Sequence, residues 1–541
     1  MGFFERNRMR QVIRVLTISL GVCLFWFSYL ASETSNLSPE LQTTVNTYQE
    51  LIKTHQYAQA VTLIENTLKE AQANSSEESV LTQLKVLLDD AQRQSKSFSN
   101  LIKSLSSPKK PELYLDAQTI IIIDKANESG VEGRIKGNLK DTRKVSWADI
   151  PMLNIYGLFD ISKLKGEDKF NLAIWCFNHG FFAQAETVLA AFYKEQSSKI
   201  ALINPLLARI RNIPLPQGGF TLYNETTWIT AETTQQRDEI LKKLGTYKEV
   251  LDKSGADKER LPWDKAREKE TEHLIVKANL SVDALNDICL LLESTYFAYQ
   301  DLFGCEQPQG KKLRVMIFKN KEEYQRIYYD LMSSNPPEGS CGMFIPASDT
   351  RNKSKQDHLL SFYAPSRCPP MTSTLPHECT HYAMGLLQNK CNCFASPAWL
   401  DERWATYNET SKLEGKRLVI NVINQVLLPD IKDPIKSKTY IKLKDFINIS
   451  QQEYLVNEKI TYPESWGLIY FLINGQGGKY KLGLQAYMEA WKKGKIATGL
   501  DNSGNRELKD KSAHLKLFEE CMGVPIDQLE QEWKEYILQL K

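Results

Sequence analysis

His377-Glu378-Cys379-Thr380-His381, followed by Pro397-Ala398-Trp399-Leu400-Asp401-Glu402, is the stretch that decides the reading of this 541-residue chain. On a helix, residues four apart share one face, so the imidazoles of His377 and His381 can reach a single metal ion. Glu378, beside the first histidine, is placed to activate water at that metal rather than to bind it. Cys379 points roughly away from the metal face and reads as packing or disulfide chemistry. Pro376 fits such a helix only in its first turn, with Ser373 or Thr374 as the cap. Glu402 lies on a second helical pattern, continued by Arg403-Trp404-Ala405-Thr406-Tyr407, and supplies the third ligand of a His-His-Glu zinc site whose fourth position stays open. The expected cofactor is therefore one Zn2+ per chain on His377, His381 and Glu402, with Glu378 as the catalytic base.

Upstream of this motif the pattern alternates. His273 to Val276 reads as a strand, Ser281 to Phe303 as a helix, Leu313 to Phe318 as a strand and Glu322 to Met332 as a helix, with extended segments at Cys341 to Ile345 and Leu359 to Tyr363. The second of these is expected to line the cleft and pair with a substrate strand. This α+β region, 266–541, forms the last domain. Ahead of it, 233–265 reads as a charged helical connector, with Gln235 to Glu268 as its helix. Residues 166–232 read as a helix pair plus a β-hairpin, Gly218 to Tyr223 with Trp228 to Thr230.

The N-terminal half is mainly helical. Residues 39–105 read as a helical hairpin unit. Tyr57-Ala58-Gln59-Ala60 has an echo in Phe182-Ala183-Gln184-Ala185, each after a short connection containing a histidine; both resemble tetratricopeptide-type helix pairs, equally readable as unrelated hairpins. Between them, 110–165 reads as a small β-rich unit with strands Thr119 to Ile123 and Val131 to Ile135 around a turn at Asn127 to Gly130.

Arg6, Arg8, Arg10 and Arg14 precede an apolar run of 17 residues, Val15 to Ala31. Residues 1–32 are thus expected to form a basic cytoplasmic tip and a membrane anchor, the bulk of the chain lying beyond the membrane; secretion after signal cleavage is the alternative. Composition is that of an ordinary globular protein, 42% hydrophobic and 25% charged, and a net charge of +2 argues against nucleic acid as a partner. Six cysteines, Cys305, Cys341, Cys368, Cys379, Cys391 and Cys393, fall close together, and in an oxidising compartment some can pair; the spacing leaves the pairing open.

HECTH with PAWLDERWATY resembles the zincins whose third ligand is a glutamate, the gluzincins, and more narrowly the bacterial peptidase-MA-like family with its HExxH and P-x-W-L-x-E-G-x-A-x-Y segments. The resemblance extends over 270–541, including TEHLIVKANLSVDALNDICLLLESTYFAYQDLFG and a closing helix from Val524 to Leu540. It implies a zincin-like, thermolysin-like α+β metallopeptidase domain acting on a peptide or protein substrate. Tyr462, in Tyr462-Pro463-Glu464-Ser465-Trp466, is similar to the tyrosine of gluzincin aminopeptidases that helps hold the oxyanion, although Cys341-Gly342-Met343-Phe344 lacks the acid with which those enzymes grip an amine. Arg403 replaces the glycine usual after the third ligand, and Thr406 stands where an acidic partner is often found; both imply weaker zinc binding or an unusual substrate. The competing reading is a catalytically weak or inactive zincin-fold protein that acts as an envelope binding or scaffold protein, recognising protein partners through its helical hairpins.

Overall fold

A computed structural model describes residues 39–73, 78–105, 111–115, 119–224, 227–253, 261–363, 368–391, 396–500 and 506–541. The chain divides into two units, one ending at Leu215 and one running from Pro216 to Lys541, both of mixed helix and sheet composition. The expected anchor and Cys393 lie outside the described residues, among which no helix is long and apolar enough to cross a membrane.

In the first unit, α1 (Pro39–Lys53), α2 (Tyr57–Ala73) and α3 (Glu78–Leu105) are followed by a four-stranded antiparallel meander. Its strands are β1 (Glu112–Tyr114), β2 (Ile120–Asn127), β3 (Gly130–Ile135) and β4 (Asn138–Ser146), in that order across the sheet. Sequence patterning reveals only the middle two. The outermost strand, NLKDTRKVS, is exposed and charged, which hides it from a hydrophobic reading and also blunts a free sheet edge against pairing with other chains. Helices α4 (Glu167–Asn178), α5 (Phe182–Glu195) and α6 (Ile200–Arg211) complete the unit.

The echoed motifs make matching helix starts, and Ala60 and Ala185 are both fully buried where helices pack closely. Their connections also share one polar knot. The Tyr57 hydroxyl lies 2.9 Å from His55 Nδ1 and 2.9 Å from His179 Nε2, and accepts a bond from the Trp175 indole at 2.8 Å. Burial lowers the His55 ring to about 4 from an ordinary 6.5, and burial followed by the His55 charge holds His179 well below its usual value. Below pH 6.5 the unfolded chain binds protons that the folded one refuses, so stability is full above about pH 6.5 and falls as pH drops towards 4. His55 alone contributes about 3 kcal/mol to that loss. Hydrogen exchange in α2 and α4, corrected for its intrinsic pH dependence, should quicken by at least about a hundredfold across this window; protection unchanged down to pH 4 would contradict two neutral buried rings.

The second unit opens with the hairpin β5 (Phe220–Asn224) and β6 (Thr227–Thr230), running directly into α7 (Ala231–Lys243), whose first turn is capped by the Thr230 hydroxyl. The predicted helix to Glu268 stops at Lys243, where Gly245, at φ 94°, turns the chain. What reads as a solvated connector is fastened to its neighbours. Arg237 is buried, forms two 2.8 Å bonds with Asp301, and stacks over Tyr223 and Phe297. Further on, Asp287 accepts the backbone N–H groups of Lys248 and Val250.

A five-stranded sheet follows, in order β10-β11-β9-β8-β7: β7 (Arg267–Glu270), β8 (Leu274–Ala278), β9 (Leu313–Phe318), β10 (Gly342–Ile345) and β11 (His358–Phe362). Strands β8, β9 and β11 run parallel, while β7 and β10 are antiparallel edges. The expectation that Leu359 to Tyr363 pairs with a substrate fails for a geometric reason. β11 is buried along its whole length and bonded on one side to β9 and on the other to β10, so its backbone groups are already used. Strand β10 carries the edge on that side.

Helix α8 (Val282–Phe303), capped by Ser281 and ended by Gly304 in the left-handed region, packs between β8 and α10 (Met371–Cys391) and is buried along most of its length. α9 (Lys321–Met332) covers β9 and β11. Beyond α10 come α11 (Ala398–Asn408), α12 (Leu427–Ser437), α13 (Glu458–Asn474), α14 (Lys481–Lys492), α15 (Lys511–Met522) and the closing α16 (Ile526–Gln539), a helical layer around α13.

Candidate metal centre

Helix α10 begins earlier than its sequence suggests, at Met371, which leaves Pro376 inside it rather than in its first turn. Its start is held from a distance. The Asp252 carboxylate accepts Met371 N–H at 2.6 Å and the Thr372 hydroxyl at 2.5 Å, supplying the negative charge that a helix N-terminus favours. Nor is the Pro376 carbonyl left bare: it accepts the Tyr299 hydroxyl and the Thr380 hydroxyl, both at 2.9 Å. Asn408 of α11 donates to that same Thr380 oxygen at 3.1 Å, so α8, α10 and α11 are pinned together behind the histidine face.

On the opposite face, His377 Nε2 and His381 Nε2 stand 3.3 Å apart, with Glu402 Oε2 at 3.9 Å and 4.0 Å from them. Atoms about 2.0–2.2 Å from one tetrahedral ion lie roughly 3.3–3.6 Å from each other. The two nitrogens already have that spacing and the carboxylate is slightly beyond it. Among the described residues, this is the only group of three histidine, cysteine, aspartate or glutamate side chains whose donor atoms cluster closely enough to share a metal ion.

Each ring nitrogen facing away from the cluster has its own carboxylate: His377 Nδ1 meets Glu409 at 2.8 Å and His381 Nδ1 meets Asp401 at 3.0 Å. Donation from Nδ1–H fixes the tautomer that leaves Nε2 as a lone-pair donor and makes that nitrogen more basic. Burial by itself would lower His377, but the Glu409 hydrogen bond and the Glu378 charge outweigh it and raise the ring. His381, likewise opposed by burial, is raised to about 10 by Asp401 and Glu402. Four carboxylates around two imidazoles make a half-buried site that favours positive charge, and its donor set of two nitrogens and one oxygen suits zinc.

Glu378 is buried beside the ligands without joining them, and burial pushes its carboxyl up against the lowering charges of His377 and His381. It accepts the Phe344 backbone N–H from β10. Gly342 lets that strand come so near: a Cβ there would sit 2.8 Å from Thr374 Cγ2 and 2.9 Å from Glu378 Cγ. Tyr462, on α13, reaches the same site, its hydroxyl 3.4 Å from Glu402 Oε2. Burial and then the Glu402 charge raise its pKa, keeping it a proton donor.

Arg403 and Thr406, the two departures from the resembled pattern, take on a different meaning in place. Arg403 is wholly buried, stacked 4.4 Å from the Trp399 ring and 3.6 Å from the Phe446 ring, so it packs into the helical layer as the neighbour of a ligand without entering the metal cluster. Thr406 turns its hydroxyl onto the Glu402 carbonyl at 2.8 Å, and the acidic partners of the two histidines are Asp401 and Glu409 instead. Glu409 lies seven residues after Glu402, two turns along the same helical face, and that spacing was the available signal for it. Cys379 is a free, buried thiol, which settles it as packing; so is Cys305. Cys341 and Cys368 form a disulfide across 27 residues. Closing a loop of that size contributes about 3.5 kcal/mol through the unfolded chain.

Comparison of the chain with protein-family models, with curated proteins and with solved structures yields no match.

Proposed function

We propose that this chain is a zinc-dependent metallopeptidase, thermolysin-like in its second unit, carried on a membrane-anchored or exported protein. The observation that carries the reading is the meeting of His377 Nε2, His381 Nε2 and Glu402 Oε2, each imidazole backed by its own carboxylate, with Glu378 buried next to them. An antiparallel outer strand lying along the helix that bears the histidines supports the zincin-like assignment. His377, His381 and Glu402 are the residues that would hold a zinc ion, and such an ion would supply Lewis-acid polarisation of a peptide carbonyl and of water.

The chain's own residues account for the rest. Glu378, its pKa raised by burial, takes the proton from the attacking water and delivers it to the leaving amine. Tyr462, kept protonated, donates to the oxygen on which charge develops. The outer edge of β10, unpaired with any other described strand, is the side on which an extended peptide would be received beside Glu378. Arg403, which favours the scaffold reading, turns its side chain into the helical layer rather than among the three candidate ligands.

A peptide-library screen with the full-length chain tests the proposal. Cleavage should stop with 1,10-phenanthroline and return on adding zinc; a zinc-loaded chain that cleaves no peptide in a broad library would overturn it.

A further inference from the structure

The disulfide Cys341–Cys368 lies next to the machinery just described. Cys341 immediately precedes Gly342, the residue whose missing side chain lets β10 approach Thr374 and Glu378. Cys368 stands three residues before Met371, where the helix carrying Glu378 begins. One covalent bond therefore joins the start of the edge strand to the lead-in of the helix it lies along. The non-covalent joints are the Phe344 N–H on Glu378 and the Phe344 ring beside Tyr382. β10 is four residues long and, among the described strands, has a ladder only with β11, supplemented by the Ser361 hydroxyl on the Cys341 carbonyl at 2.8 Å and the Ser340 hydroxyl on the Gly342 carbonyl at 2.7 Å. Neither hydroxyl reaches α10. Both bridged cysteines are half-buried, whereas Cys176, Cys289, Cys305 and Cys379 are buried free thiols. The bridge, which packs against the cluster around Tyr324 and Phe362, is thus less shielded than those four thiols.

We infer that Cys341–Cys368 is a redox-controlled positioning link: when formed it holds β10 against Glu378, and when reduced it lets the strand withdraw, so that hydrolysis is confined to an oxidising compartment. The consequence for hydrolysis rests on the metallopeptidase reading; the consequence for the strand does not. In the reducing direction a dithiol supplies the electrons. Its thiolate attacks one sulfur, the S–S bond breaks as a mixed disulfide forms, and its second thiolate displaces the protein sulfur. The dithiol leaves as a cyclic disulfide, two electrons poorer, and Cys341 and Cys368 end as thiols carrying its two protons. Oxidation by a disulfide runs the exchange backwards. Cytosolic thiols stay reduced and exported ones pair, so a chain awaiting export would hold its edge strand loose and its peptidase silent.

The test uses the full-length protein, its zinc measured throughout, and reads hydrogen exchange over 341–345 beside peptide cleavage. The Cys341→Ser/Cys368→Ser chain should keep its zinc and melt cooperatively, yet exchange at least about tenfold faster in that strand and cleave at least about tenfold more slowly. A phosphine reductant should do the same to the unmodified protein, reversibly with glutathione disulfide, and leave the double variant unchanged; this arm decides the matter if the variant does not fold. Unchanged exchange and cleavage after bridge loss overturn the inference, as does loss of zinc on reduction, which would make the bridge a prop for the metal site. Absence of zinc from the oxidised parent would instead sink the peptidase reading, and the exchange arm would still decide whether the bridge holds the strand.

Discussion

Glu378→Gln is expected to lower peptide cleavage by about a thousandfold while zinc content stays unchanged. The amide has nearly the shape of the carboxylate and can still accept the Phe344 N–H, so the close approach of Gly342 is preserved. What it cannot do is take a proton from water. Because the native carboxylate is buried and its charge disfavoured there, the variant should melt no lower than the parent. That pairing of lost turnover with kept stability and kept metal separates a base from a ligand. Cleavage reduced by less than about tenfold would mean that the proton goes elsewhere.

The second large effect is on metal affinity, and it arises from residues that do not touch the metal. Asp401→Asn and Glu409→Gln are each expected to weaken zinc binding by about 10- to 100-fold, measured by competition with a chromophoric chelator. Both carboxylates accept an imidazole Nδ1–H, at 3.0 Å and 2.8 Å. A neutral amide in either place still permits a hydrogen bond but withdraws the charge that makes Nε2 a better donor, and it can present its NH2 group to the ring instead. The two sites act on different histidines, so the double variant should lose roughly the product of the single effects. Affinity unchanged in both single variants would leave the histidines without the support ascribed to them.

The three candidate metal ligands are readable from sequence because helical periodicity is local: His377 and His381 share a face by spacing alone, and the aromatic context of Glu402 marks a second helix. The strands and helices from β8 to β11 are legible for the same reason, the strands as short apolar runs and α9 by the helical spacing of Tyr324, Tyr328 and Met332. What stays hidden is long-range. Nothing local to Asp252 says that it caps a helix 119 residues later, and nothing around Cys341 says that its partner is Cys368 rather than Cys379. Periodicity also misassigns which extended segment is the free edge, since β10 and β11 differ in what lies beside them rather than in composition. The connector reading errs differently: the charges on α7 predict solvent, yet Arg237 is spent on a buried pair with Asp301. Of the two departures in the metal segment, Arg403 faces the helical layer and Thr406 bonds its own helix. A family pattern names positions, and only packing shows which way a side chain at each position faces.

The most direct measurement is the zinc content of the purified full-length chain, determined by atomic emission beside His381→Ala and Glu402→Gln. The site geometry predicts about one zinc per parent chain, with binding lost or greatly weakened in both variants. A parent that takes up no zinc after reconstitution, or variants that bind it as tightly as the parent, would contradict the three-ligand centre on which the proposed hydrolysis depends.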